Sequence, residues 1–284
     1  MKELAYFNGN IVEPGSVQVS LDDRGYCFGD GVYEVTRVVN GRMFAFSYHQ
    51  DRLYRSMREM DIPVRMPPDE LQELHEIMIE QSEIRDGYIY LQITRGVSPR
   101  RHAFERTQLE PQMYMYIKPI TQDLSVLREG VKAITLPDER WHRVDIKTLN
   151  LIPNILAQTK AEKKKAYSAI LFRNDICTEG ATSNVFAIKD GMCYTHPANN
   201  FILKGITRQL VLNRVAPTAG VTTIEREFDK AFVESADELF FTDTIGGIIP
   251  IIQLDRNPVG TGAPGKVTME LHKVYENLVS EGLA

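Results

Sequence analysis

The stretch Val144-Asp145-Ile146-Lys147-Thr148-Leu149-Asn150-Leu151 places a lysine among alternating apolar residues. An amine is costly to bury unless it is paired, neutralised or used covalently. For this residue alone, the simpler interpretation is a lysine that reaches water from the end of a strand. The rest of the chain decides between that interpretation and a chemical role for Lys147.

Two later motifs supply complementary chemistry. Glu179 is a lone acid before the small, polar turn Gly180-Ala181-Thr182-Ser183, and Gly205-Ile206-Thr207 opens a predicted helix. Each has a simpler explanation by itself, as a surface or capping acid and as an ordinary helix cap. With Lys147 they form the set that pyridoxal phosphate requires. The set is a lysine to attach the aldehyde, an anion for the pyridine nitrogen and helix amides for the phosphate.

The whole chain has an ordinary globular composition, with 284 residues, 43% hydrophobic and 25% charged. Its formal net charge of -5 argues against a nucleic-acid-binding surface. Cys27, Cys177 and Cys193 are widely spaced and odd in number, so they indicate neither a disulfide framework nor a CxxC metal site. The histidine spacing predicts no metal site either. Since no apolar signal core follows the first residues, we expect a cytoplasmic protein that binds neither membranes nor nucleic acids.

The apolar pattern predicts an α+β protein of two domains. We place a smaller N-terminal α/β domain at residues 1–118, a connection at 119–123 and a larger C-terminal domain at 124–284. The smaller domain combines strand patterns with helices such as Pro68–Ser82, whose apolar residues share one stripe. In the larger domain, many short strand patterns with interspersed helices predict a mixed, partly closed barrel rather than a regular βαβ repeat.

Four further side chains are candidates for ligand binding, each with a simpler alternative. Arg52, on a predicted helix, either pairs on the surface or offers a cationic fork to a phosphate. Tyr33 is either a core aromatic or a ligand contact, since the glycines before it let the backbone approach a ligand closely. Arg100 and His102 follow a predicted strand, where they are either solvated or placed over a cleft to bind a carboxylate.

Taken together, these segments resemble the fold-type IV pyridoxal-phosphate enzymes. That class holds the D-amino acid aminotransferases, the branched-chain aminotransferases and the aminodeoxychorismate lyases. The similarity covers nearly the whole chain and is greatest to the bacterial D-amino acid aminotransferases. The segments that carry it are Asp23–Glu34, Thr94–Arg100 with His102, Asp145–Lys147 and Leu203–Arg208.

The resemblance implies a role for each candidate residue. Lys147 carries the cofactor and acts as general acid and base, Glu179 meets the pyridine nitrogen, and Leu203 packs against the cofactor ring. The groups that hold the phosphate are Arg52, Ile206, Thr207 and Thr244. A trap for the substrate carboxylate combines Tyr33 of one subunit with Arg100 and His102 of the other. A homodimer is then the minimal functional unit.

The implied reaction is transamination between a D-amino acid, with D-alanine and D-glutamate expected, and a 2-oxo acid such as 2-oxoglutarate. The alternatives are a branched-chain L-amino acid aminotransferase, an aminodeoxychorismate lyase and a non-catalytic protein that binds pyridoxal phosphate. The chain also departs from its relatives, because Ala181 and Asp243 stand where they carry serines and Arg101 adds an arginine beside Arg100. These departures bear on substrate range and affinity rather than on the choice of cofactor.

Overall fold

The computed structural model describes residues 2–105, 109–121 and 124–282, which form two compact units. The first unit holds the described residues of 1–121, the segment Ile146–Asn150 and residues 279–282, and the second holds the described remainder. Residues 122 and 123 of the predicted connection lie outside the described residues. The division into 1–118, 119–123 and 124–284 stays a prediction, and the grouping of 146–150 with the first unit differs from it.

Within the described residues, the first unit is built on a six-stranded antiparallel sheet with the strand order β2-β1-β6-β5-β3-β4. Its strands are β1 Leu4–Phe7, β2 Asn10–Val12, β3 Gly31–Val39, β4 Arg42–Met43, β5 Gly87–Thr94 and β6 Gln112–Pro119. Its helices are α1 Arg24–Phe28, α2 Phe46–Glu59 and α3 Pro68–Ser82. The predicted helix at 68–82 is thus confirmed at both ends.

The core of the first unit follows from the apolar spacing of its helices. Leu53 and Met57 lie one turn apart on α2, and Leu71 and Met78 lie on one face of α3. All four are buried in one cluster with strand residues such as Leu91. The helices therefore bury their apolar stripes against the sheet that contains β3.

The second unit contains a nine-stranded mixed sheet within its described residues. The strands are β7 Val131–Pro137, β8 Ser168–Arg173, β9 Ile176–Gly180, β10 Asn184–Lys189, β11 Met192–Thr195, β12 Thr223–Glu225, β13 Glu238–Asp243, β14 Gly247–Leu254 and β15 Asn257–Pro258. Their order is β12-β11-β10-β13-β14-β7-β8-β9, with β15 beside β14. Although β9 ends this order, it also contacts β10 near the other end. The sheet is therefore curled, and the predicted barrel-like, mixed architecture is confirmed.

The helices of the second unit are short apart from two. They are α4 Ser125–Arg128, α5 Ile152–Lys163, α6 Ile206–Leu210, α7 Ala216–Ala219, α8 Lys230–Glu234 and α9 Lys266–Glu281. A π-helical turn at Val211–Val215 joins α6 to α7, so the helix predicted to open at Gly205-Ile206-Thr207 is one continuous but irregular segment. In the part of the chain that the structure describes, none of the helices has the length and apolar character needed to cross a membrane.

Candidate active site

Lys147 lies in an extended segment that pairs with β3. The Tyr33 amide donates to the Lys147 carbonyl at 3.0 Å, and the Leu149 amide donates to the Gly31 carbonyl at 3.0 Å. The Lys147 amide in turn donates to the Ser56 hydroxyl at 3.3 Å. Backbone contacts on both sides thus hold the lysine against strand β3 and helix α2, although the segment is distant from both in the chain.

The Lys147 side chain is half-buried, and its nitrogen lies over an aromatic face. The Nζ atom is 4.2 Å from the centre of the Tyr33 ring. An aromatic face attracts an ammonium electrostatically but accepts no conventional hydrogen bond. Among the residues of its unit that the structure describes, no carboxylate forms an ion pair with Lys147. The amine is therefore positioned without being neutralised by an acid.

Arg52 belongs to a buried cluster of charged side chains beside this segment. Its Nε and Nη2 atoms donate to the Glu34 carboxylate at 2.6 and 2.9 Å, and His49 Nδ1 lies 2.9 Å from the same carboxylate. Burial opposes the charged form of Glu34, but the charge and hydrogen bonds of Arg52 outweigh it and lower the pKa of Glu34. Burial also lowers the pKa of His49, which is coupled electrostatically to Lys147. The Glu34 carboxylate therefore fixes the Arg52 guanidinium in place.

Glu179, in the second unit, is a buried carboxylate with three donors. Arg140 donates to one oxygen, while Asn184 Nδ2 at 2.7 Å and the Leu203 amide at 3.1 Å donate to the other. Burial raises the pKa of Glu179, and the guanidinium of Arg140 opposes that rise. A carboxylate has about four lone-pair sites, so a further donor can still be accepted.

A second acid, Asp138, accepts hydrogen bonds from Arg140 and holds its guanidinium in place. Asp138 accepts from Arg140 Nε and Nη2, both at 2.9 Å, and from the Thr178 hydroxyl at 2.9 Å. Despite burial, these hydrogen bonds and the charge of Arg140 lower the pKa of Asp138 to about 2. The sequence alone does not single out this chain of charges. Its only signal is the run Asp138-Glu139-Arg140 after a strand, which by default predicts solvated charge.

Leu203 is linked to Glu179 through its own backbone. Besides the amide that donates to Glu179, its carbonyl accepts from Asn184 Nδ2 at 2.9 Å. Asn184 also explains the glycine that follows, because a Cβ on Gly205 would lie 2.0 Å from its Oδ1. A side chain at position 205 would therefore displace the Asn184 amide group, which donates to Glu179 and to the Leu203 carbonyl.

Ile206, Thr207 and Thr244 come together at the start of α6. The first helical hydrogen bond of α6 runs from the Gln209 amide to the Gly205 carbonyl, so the earlier amides point out of the helix start. The buried Thr207 hydroxyl donates at 2.8 Å to the carbonyl of Asp243, the residue before Thr244. Helix-start amides and two threonines thus occupy one place in the second unit.

Two of the three residues described above as departures, Asp243 and Ala181, make contacts within the second unit. Asp243 Oδ1 accepts from the amides of Ile245 and Gly246 at 2.9 and 2.6 Å, and Oδ2 accepts from the Tyr167 hydroxyl at 3.2 Å. Its carboxylate therefore stabilises the turn between β13 and β14. Ala181 is buried, and its carbonyl accepts from the Asn154 amide group at 2.7 Å. Neither observation tests the expected effect on substrate range.

The three predicted carboxylate-binding residues lie at two places in the first unit. Tyr33 contacts Lys147 and stacks on Tyr90, with 5.8 Å between the ring centres. Arg100 and His102 are exposed and lie against another ring, Phe28, at 5.1 and 5.7 Å from its centre. Within one chain, the structure therefore groups Arg100 with His102 but gives Tyr33 different neighbours. Across residues 2–105, 109–121 and 124–282, no cluster of potential metal ligands is found, and the expected absence of a metal stays a prediction.

The chain is similar in sequence and in fold to known aminotransferases. The D-alanine aminotransferase of Staphylococcus aureus (strain COL) is 40% identical over 277 residues, which cover 98% of each chain. That of Bacillus licheniformis is 40% identical over 273 residues and 96% of each chain. A crystal structure of the branched-chain aminotransferase of the archaeon Thermoproteus uzoniensis with norvaline matches with a TM-score of 0.88. That match has 23% identity and covers 98% of this chain and 95% of the other.

The fold is that of the fold-type IV transaminases. The chain combines a six-stranded antiparallel sheet with a curled mixed sheet, and it matches the structure named above. The family model described as amino-transferase class IV matches residues 31–254. The chain belongs to the class IV aminotransferase family. The resemblance, the fold class and the type of enzyme predicted from the sequence are therefore confirmed.

Proposed function

We propose that the protein catalyses the pyridoxal-phosphate-dependent transfer of an amino group between a D-amino acid and a 2-oxo acid. D-alanine and D-glutamate are the proposed amino donors, and 2-oxoglutarate is the proposed acceptor. The observation that carries this proposal is the similarity to D-alanine aminotransferases, which extends over 98% of both chains at 40% identity. The arrangement of charged side chains described above supports it independently.

The residues of the second unit suit the ring and phosphate of pyridoxal phosphate. Glu179 keeps accepting capacity beyond its three donors, so it can take a hydrogen bond from a protonated ring nitrogen. The outward amides of Ile206 and Thr207 suit a phosphate, with Thr244 beside them. Leu203, joined to Glu179 through its amide, is the proposed apolar contact of the ring.

In the first unit, Lys147 is the proposed attachment point and Arg52 a further phosphate ligand. Bound pyridoxal phosphate supplies an aldehyde for covalent attachment and a ring that stores the electron pair left at the substrate α-carbon. Lys147 Nζ, once free, is the proposed base that removes the α-proton and the acid that returns a proton. The Tyr33 ring keeps this nitrogen in place without hydrogen-bonding to it. Glu34 orients Arg52 through two hydrogen bonds.

Substrate binding is assigned to Tyr33, Arg100 and His102 as a trap for the α-carboxylate. Because Tyr33 has different neighbours from the other two within one chain, we propose that the trap joins two subunits of a homodimer. The guanidinium of Arg100 provides two parallel donors to a carboxylate, and His102 provides a third. Solution mass measurements on the purified protein test the dimer directly. The cytoplasm is the proposed compartment.

Initial rates with a panel of D- and L-amino acids and 2-oxoglutarate test the proposed function. We expect D-alanine and D-glutamate to react fastest, with no more than one keto acid formed per active site when 2-oxoglutarate is left out. Faster turnover of L-leucine or L-valine than of D-alanine would place the protein among the branched-chain enzymes. Conversion of aminodeoxychorismate without a 2-oxo acid would identify a lyase. A colourless protein that takes up no pyridoxal phosphate would contradict every one of these enzyme functions.

A further inference from the structure

Residues 97–102 form a loop that carries Arg100 and His102, and the segment around helix α1 holds this loop at both ends. At its beginning, Val97 forms an isolated antiparallel bridge with Asp23, and the Ser98 amide donates to the Asp22 carbonyl at 3.1 Å. At its far end, the anchor is a side chain. Arg100 and His102, which are both exposed, therefore project from a backbone that is held in a defined position.

That side chain is Arg24, the first residue of α1. Its Nη1 donates to the Arg101 carbonyl at 2.6 Å, and its Nη2 donates to the His102 carbonyl at 3.0 Å. Its Nε donates to Asp30 Oδ2 at 2.8 Å. Arg24 is only 4% exposed, whereas the two residues whose carbonyls it holds are exposed. Each nitrogen of the planar guanidinium thus has a partner, and two of these partners belong to the loop.

A second arginine, Arg95, shares the same acid and donates to the carbonyls of a different segment, although its Cζ also lies 3.5 Å from the centre of the Phe104 ring. Arg95 Nε donates to Asp30 Oδ2 at 2.8 Å, while its Nη1 and Nη2 donate to the carbonyls of Asp61 and Met60 at 3.0 and 2.6 Å. Both arginines are buried. Arg95 therefore matches Arg24 in burial and charge partner, and differs in the carbonyls that it holds.

The ring of Phe28, at the other end of α1, organises the side chains of the loop. Arg24 Cζ lies 4.9 Å and Arg100 Cζ 5.1 Å from the centre of this ring, and the His102 ring centre lies 5.7 Å from it. Cations are attracted to an aromatic face at such distances. One ring is therefore shared by the anchor and by both proposed carboxylate ligands.

We propose that Arg24 and Phe28 are positioning residues for substrate binding. Arg24 sets the backbone of the Arg100–His102 loop through two carbonyls, and Phe28 sets the directions of the two side chains that meet the substrate carboxylate. The inference rests on the proposed function, because it assumes that Arg100 and His102 bind that carboxylate. It adds specificity residues that do not touch the substrate themselves.

The test compares the holoenzyme with the variants Arg24→Lys, Phe28→Leu and Arg95→Lys. Lysine keeps the positive charge but has no planar fork, so Arg24→Lys loses the paired carbonyl contacts. We expect its KM for D-alanine to rise about tenfold, with kcat changed less than about threefold. Phe28→Leu removes the aromatic face and is expected to raise KM similarly. Cofactor content, measured by absorbance, should match that of the wild type in every variant.

Arg95→Lys is the matched control, because it disturbs the same acid without touching the two loop carbonyls. We expect it to lower the thermal midpoint about as much as Arg24→Lys while its KM stays within about twofold of the wild type. If Arg24→Lys does not fold, Phe28→Leu alone decides the question. An unchanged KM in the folded variants, or an equal rise in Arg95→Lys, overturns the positioning role and leaves the proposed function intact. A wild-type protein that does not transaminate D-alanine overturns both.

Discussion

The Nζ atom of Lys147 lies 4.2 Å from the centre of the Tyr33 ring, and a 3.0 Å hydrogen bond joins the backbones of the same two residues. Strand β3 therefore positions Lys147 through two contacts, one between the main chains and one between the lysine amine and the Tyr33 ring. This relationship separates two functions of Tyr33, since the ring faces the amine whereas the hydroxyl is available for the proposed carboxylate contact.

Tyr33→Phe and Tyr33→Leu are predicted to have different effects. The phenylalanine variant keeps the ring, so kcat for D-alanine should stay within about threefold while KM rises about three- to tenfold with the lost hydroxyl. The leucine variant also removes the ring from beneath Lys147 and should lower kcat at least about tenfold. Steady-state kinetics measure both values, with Tyr88→Phe as a control for a hydroxyl on the same sheet. Identical kinetics for the two Tyr33 variants would mean that the ring has no part in placing the lysine.

Glu179→Gln is predicted to retain the cofactor but to slow the half-reaction with D-alanine. The neutral amide still packs beside Asn184, but it no longer holds a ring proton by charge, and we expect a loss of roughly 100-fold. Rapid-mixing absorbance of the cofactor band measures this rate. Glu225→Gln is the control, because Glu225 also pairs with an arginine, Arg208, in the same unit. A Glu179→Gln half-reaction as fast as that of the wild type contradicts the role.

Glu34→Gln is predicted to destabilise the fold by about 3 kcal/mol at neutral pH, because it removes the carboxylate that pairs with the buried Arg52 cation. Glu110→Gln should cost less than about 1 kcal/mol, since the Glu110–Arg65 pair has the same two-bond geometry at an exposed position. Urea unfolding measures both free energies. Equal losses would show that burial does not strengthen the dependence on the Glu34 carboxylate.

The pH dependence of stability provides a separate test of Glu34. Its pKa is lower in the folded protein than its ordinary value of 4.5, so the unfolded chain binds the proton more tightly. The stabilisation is therefore fully present above about pH 4.5 and is lost as the pH falls below that value. In urea unfolding between pH 7 and 3, Glu34→Gln should show a shallower decline than the wild type. A wild-type slope in this variant would contradict the lowered pKa.

Arg100→Ala is predicted to lose roughly 30-fold or more in kcat/KM for D-alanine, because it removes the main proposed donor to the substrate carboxylate. Activity with amines that lack a carboxylate should change little. Arg65→Ala removes another exposed arginine of the first unit and should leave kcat/KM near the wild-type value. An Arg100→Ala variant with normal efficiency on D-alanine would require a different carboxylate ligand.

The sequence predicts those parts of the fold that depend on local periodicity. Helix α3 has its apolar residues on one stripe and a proline at its first position, and its predicted ends match the structure. Strand β14 is not predicted by its sequence, because Gly247 and Pro250 interrupt its apolar run. The structure accommodates the proline since pairing with β7 begins only at Ile251, beyond the missing amide.

The residues of the candidate site are also only partly predictable from the sequence. Lys147 and Glu179 become candidates from the sequence because, together with the helix start at Gly205-Ile206-Thr207, they form the set of groups that pyridoxal phosphate requires. Their partners depend on contacts between distant residues. Arg140 reaches Glu179 from 39 positions away, and Arg24 reaches the His102 carbonyl from 78 positions away. Local pattern carries no information about such contacts, so these residues become candidates only once the fold is known.

Borohydride reduction of the holoenzyme followed by peptide mapping tests the central assignment most directly. The reagent makes the link between lysine and cofactor permanent, so the labelled peptide reports which amine carries pyridoxal phosphate. We predict a single pyridoxyl group on Lys147 in the wild type and none at any position in Lys147→Ala, which should also be inactive. Lys160→Ala, a change at an exposed lysine of α5, should be labelled like the wild type. A label on Lys204 or any other lysine, or undiminished turnover by Lys147→Ala, would contradict the account.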